Sequence, residues 1–85
     1  MTDAMYSAVL LPAVRYHPQL SAEAKLIFCE MSACVDENQC MADDEEYFAR
    51  NLNISLALVH RAFGELQQYG FIKNTETQGQ IWVNL

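Results

Sequence analysis

Eighty-five residues, 52% of them hydrophobic, are enough for one domain with a single core and exclude an intrinsically disordered chain. A net charge of -6 opposes the counterion release that normally dominates duplex affinity, while leaving basic partners open. No apolar run is long enough to cross a bilayer, and residues 1–20 lack a basic start followed by an apolar block, so a cytoplasmic protein with no membrane partner is expected.

Residues 5–17 are apolar and interrupted by Pro12, which predicts an extended lead-in rather than a helix, and His17-Pro18 keeps the chain extended before a helix start. Ser21 is a good N-cap with Glu23 in the positive first turn. Ala24, Ile27, Phe28, Met31, Cys34 and Val35 then recur at steps of three and four, which predicts a helix over 22–35 with Cys34 as a small buried hydrophobe. After the polar connection Asp36-Glu37-Asn38-Gln39, Cys40-Met41-Ala42 forms a candidate strand to pair with a later hairpin. Asp43 and Glu46 have the capping-box spacing, so a second helix is expected over 44–51, burying Phe48 and Leu52 with help from Tyr47.

Asn53 is the residue best suited to a left-handed turn. Ser55 caps a third helix over 56–69 with an inward stripe of Val59, Ala62, Phe63 and Leu66, and Gly70 supplies its stop. Phe71-Ile72 and Ile81-Trp82-Val83 read as two strands joined through Gly79, giving a wing over 71–85. Strand alternation puts Ile81, Val83 and Leu85 on one face and Trp82 on the other. The expected fold is mainly α with a small β-hairpin: a winged helix-turn-helix of three helices plus wing, forming one domain over 1–85.

Rotation about the third helix leaves Ala57, His60, Arg61, Gly64, Glu65 and Gln68 facing outward. Arg61 is a candidate for a guanine edge, Gln68 for adenine and Lys73 for the phosphate backbone, but readout favours the N-terminal end, which offers only Ala57, His60 and Arg61. The competing reading is a solvated face without a nucleic-acid role. Gly64 costs the helix about 1 kcal/mol relative to alanine, which points to close approach of another backbone or a partner, or to a tolerated cost.

Charge is unevenly placed: residues 51–85 are neutral, so the whole of -6 falls on residues 1–50. The run Asp43-Asp44-Glu45-Glu46 reads first as a helix start favoured by the helix dipole, and second as a surface that attracts a basic partner. Leu58 and Trp82 are candidates for a protein interface or homodimer contact, unless Trp82 packs on the first helix and closes the core. Cys29, Cys34 and Cys40 have no CxxC spacing and His17 and His60 stand alone, so no metal or other cofactor is expected. No nucleophile elbow or phosphate-cradling glycine loop is present, and neither enzymatic activity nor a small-molecule substrate is expected.

The chain resembles the winged helix-turn-helix domains of phage- and plasmid-type replication proteins and related small regulators. The matching residues are Pro12-Ala13-Val14, Leu20-Ser21, Ala24-Lys25-Leu26, Tyr47-Phe48-Ala49, Ile54-Ser55, Val59, Leu66 and Tyr69-Gly70-Phe71-Ile72, spread over nearly the whole chain. The resemblance implies DNA binding, with the third helix in the major groove and the wing on the backbone. Where that pattern carries a basic residue and a threonine after the cap serine, this chain has Ala57 and Leu58. Two readings follow. In the leading one, an acidic winged helix of phage or mobile-element origin regulates or inhibits a basic, nucleic-acid-handling protein. In the other, duplex DNA is read through the third helix in replication initiation or transcription regulation, by a dimer or as part of a larger assembly.

Overall fold

The computed structural model describes residues 11–85, so the part of the expected lead-in over residues 5–10 lies outside the described residues. Helix α1 (Pro12–Arg15) replaces the rest of that lead-in with one helical turn, correcting the extended expectation. Proline breaks a helix interior but suits its first position, where no intrahelical partner exists for an N–H. Leu11 O accordingly accepts from Arg15 N at 2.8 Å, and Val14 is driven fully into the core.

Helix α2 (Ala22–Cys34) starts as expected, with Ser21 Oγ accepting from Ala24 N at 3.1 Å. Its stripe of Ala24, Ile27, Phe28 and Met31 is buried. Cys34, expected to be buried, is instead half-buried at the last helical position, its thiol donating to Tyr47 Oη at 3.7 Å. The Tyr47 phenol titrates above its ordinary value, first through its hydrogen-bonded pairing with Cys34 and then through the electrostatic effect of the same group.

Strand β1 (Cys40–Ala42) forms where expected. The turn before it is closed by Asp36, whose Oδ1 accepts from Asn38 N at 2.8 Å and Cys40 N at 3.0 Å, while Gln39 adopts φ 64°. Gln39 takes this left-handed conformation because it is held from both sides, donating from Nε2 to Val83 O at 2.9 Å and accepting from Val83 N at 2.8 Å.

Helix α3 (Glu45–Leu52) is capped by Asp44, which accepts from Tyr47 N at 3.2 Å, and not by Asp43 as the capping-box spacing suggested. Asp43 is recruited by the wing instead, its N–H donating to Gly79 O at 2.9 Å. Asn53 ends α3 at φ 56° and ψ 48°, the left-handed turn expected of it. Helix α4 (Leu56–Gln68) begins with Ser55 Oγ accepting from Leu58 N at 3.1 Å. It closes in a Schellman arrangement: Phe71 N donates to Leu66 O at 2.8 Å and Gly70 N to Gln67 O at 3.2 Å, with Gly70 at φ 81°.

Strands β2 (Ile72–Asn74) and β3 (Gln80–Val83) form the hairpin, and β1 adds to the far side of β3, giving an antiparallel sheet of order β1-β3-β2. The register sets Ile72 opposite Val83 and Asn74 opposite Ile81, so Ile72, Ile81 and Val83 face the helices and are buried. Cys40, Trp82 and Lys73 pair across the strands on the other face. Trp82 is half-buried there beneath the Lys73 ammonium, 4.9 Å from its ring centre, and does not close the core. Leu85, expected on the same face as Ile81 and Val83, lies past the end of β3 and is 43% exposed.

The core joins α2, α3, α4 and the inner sheet face through Phe28, Phe48, Met31, Val59, Leu66 and Val83. Edge-to-face ring pairs fix it at two points: Phe48 with Phe63 at 5.6 Å and Phe28 with Phe71 at 5.7 Å. The result is a helix-rich fold with a hairpin wing, the short α1 being an addition to the three expected helices. Among the described residues, no helix is long and apolar enough to cross a membrane.

Candidate functional site: the outer face of α4

The helical period that buries Val59, Ala62, Phe63 and Leu66 turns Ala57, His60, Arg61, Gly64 and Gln68 outward, and all five are exposed. Glu65, expected on that outward face, is half-buried, because its Oε1 accepts from Ser21 N at 2.8 Å at the start of α2. A carboxylate is thus fixed beside the outward stripe by a backbone donor from another helix.

Both candidate cationic groups near the N-terminal end of α4 are met by carboxylates. His60 Nδ1 lies 3.1 Å and 3.2 Å from the two Glu45 oxygens. Arg61 lies between two acids, Nη2 being 3.8 Å from Glu23 Oε1 and Nε 3.8 Å from Glu65 Oε2. These are exposed pairs, with side-chain exposures of 80% for His60 and 60% for Arg61, so each adds little stability. Their consequence is electrostatic. One guanidinium flanked by two carboxylates presents net negative charge to anything approaching this end of the helix.

The remaining sequence candidates do not restore positive charge. Lys73 is exposed on β2, but its ammonium sits over Trp82 on the outer sheet face, the one away from the helices. Gln68 lies at the C-terminal end of α4, where base readout is poorest. Arg15, Lys25 and Arg50 are spread over α1, α2 and the last turn of α3.

The acidic run stays beside α4. Asp43, Asp44, Glu45 and Glu46 border a shallow depression together with Leu56. Leu56 is 47% exposed, whereas Leu58, the leucine singled out by the sequence, is half-buried. Helical period assigns Leu56 to the inward side with Val59, but it occupies the first helical position beside the acidic turn of α3. Among the described residues no group of three or more His, Cys, Asp or Glu is arranged to hold a metal ion.

Gly64 is not explained by close approach within the chain, since a Cβ built there meets no heavy atom within 4 Å. Gly64→Ala is therefore expected to stabilise the isolated domain by about 1 kcal/mol. A urea titration checks this; an unchanged or lowered midpoint contradicts the open surroundings of Gly64.

Comparisons with protein-family models, with curated proteins and with solved structures return no match to this chain, which leaves its function to be argued from the α4 face itself.

Proposed function

We propose that this chain is a non-enzymatic, acidic winged-helix binding protein, a phage or mobile-element regulator or inhibitor that acts on a protein partner through that partner's basic, nucleic-acid-handling surface. The observation that carries this reading is the pairing of His60 with Glu45 and of Arg61 with Glu23 and Glu65 on the face that a DNA-reading winged helix offers to the groove. A phosphate approaching α4 meets these carboxylates and the Asp43–Glu46 run. A lysine- or arginine-rich surface meets the same groups as counter-charges. The net charge of -6 adds long-range attraction, screened over about 10 Å at 0.1 M salt.

Duplex DNA read by α4 is the second reading, favoured by the solvent exposure of His60 and Arg61 near the start of the helix. It has one permanent cation at that end to work with, against the multiple phosphate contacts that duplex affinity normally needs.

The test is binding to immobilised poly-L-lysine with matched charge removals. Glu45→Gln with Glu46→Gln is expected to weaken binding about tenfold, and Asp36→Asn with Glu37→Gln, equal in charge but on the α2–β1 turn, less than about threefold. Equal losses from both pairs mean that net charge alone is felt, and overturn an α4-centred surface.

A further inference from the structure

Between α4 and the hairpin lies a cleft of about 270 Å³. Phe63, Ile72 and Ile81 form its apolar floor, and Asp43 and Glu45 stand on its rim. We propose that this cleft receives one arginine or lysine side chain from an extended basic segment of the partner, an inference that rests on the function proposed above.

Three features select this occupant. A long cationic side chain has an apolar stem and a charged head; the cleft offers a floor for the first, and for the second the Asp43 carboxylate together with the Glu45 carboxylate, which His60 on the cleft wall shares at 3.1 Å. Gly64 borders the cleft with no heavy atom within 4 Å of where its Cβ would stand, so the helix leaves space there for an incoming chain. The Asp43 carboxylate is available: Asp44 performs the capping of α3, while the Asp43 N–H is pinned to Gly79 O at 2.9 Å, which holds the residue against the wing.

The alternatives fit less well. An anion is repelled by Asp43 and Glu45. A wholly apolar side chain strips water from those carboxylates without replacing it. Lys73 borders the cleft, yet its ammonium is held over Trp82 on the far sheet face at 4.9 Å and does not occupy the place of the incoming charge.

The test uses the full chain, isotope-labelled for amide NMR, titrated with a nine-residue arginine-rich peptide. Peptide-induced shifts are expected to centre on Gly64, Asn74 and Ile81. Gly64→Leu fills the cleft without changing charge and replaces glycine with a better helix former, and is expected to weaken the peptide about tenfold or more. Asp43→Asn, which keeps the side chain's size, is expected to weaken it severalfold. Unchanged affinity in both variants, with shifts confined to the acidic turn of α3, overturns the cleft and leaves the acidic-surface reading standing. Failure of the peptide to bind the unaltered chain overturns both together.

Discussion

Phe48→Ala is expected to remove about 3–5 kcal/mol of stability, the cost of truncating a fully buried aromatic ring and leaving a cavity. Phe48 is the buried residue of α3, and its ring meets Phe63 at 5.6 Å and Tyr47 at 5.1 Å, edge to face in both cases. An eight-residue helix does not stand alone in water, so α3 depends on that anchor and on the partial burial of Tyr47, Ala49 and Leu52. A domain of this size has a total stability of roughly 4–13 kcal/mol. The substitution therefore consumes a large share of it, and it releases the acidic turn from its place beside α4. Leu56→Ala, at an exposed position, is expected to cost less than about 1 kcal/mol. Urea denaturation of the two variants side by side checks the contrast; similar midpoints would contradict the assigned core.

The second large effect is a gain of function. Changing Glu23, Glu45 and Glu46 to lysine takes the chain from -6 to neutral and removes the partner of His60 and one of the two partners of Arg61. Each new phosphate contact adds about 0.9 to the slope of log affinity against log salt, so three added cations with Arg61 give a slope of about -3 to -4. Duplex affinity at low salt is expected to rise about a hundredfold or more over the unaltered chain, read by fluorescence anisotropy of a labelled duplex. Glu65 is left in place because its bond to Ser21 N joins α4 to α2. If the variant folds and gains no affinity, the carboxylates are not what separates this face from a DNA-reading one.

The framework of this fold was legible in local chemistry. Ser21 and Ser55 cap helices because their hydroxyls reach the amide three residues on, Asn53 and Gly70 take left-handed turns, and the stripes of α2 and α4 are set by helical period alone. The misplaced details were settled by tertiary partners. Asp44 and not Asp43 caps α3, while the Gly79 carbonyl fixes the Asp43 N–H against the wing, and Gln39 adopts a positive φ because Val83, 44 residues away, bonds it at both ends. Pro12 interrupts an apolar run and so reads as a breaker, whereas its place at the first position of α1 makes it a helix start.

The same division holds for the α4 face. Rotation about the helix identified His60, Arg61 and Gly64 as outward. It could not show that Glu45, 15 residues earlier, would arrive beside His60, or that Ser21, 44 residues earlier, would hold Glu65 inward. Helical period alone sets Glu65 on the outward stripe, because the backbone donor from the start of α2 that draws it in is not visible in sequence.

The most direct measurement is titration of the unaltered full chain into a labelled duplex at low salt, where any electrostatic grip on phosphate is strongest. No saturable change in anisotropy is expected, because carboxylates face the one arginine of α4. Saturable binding that weakens as salt rises and disappears in Arg61→Ala would contradict a face closed to phosphate.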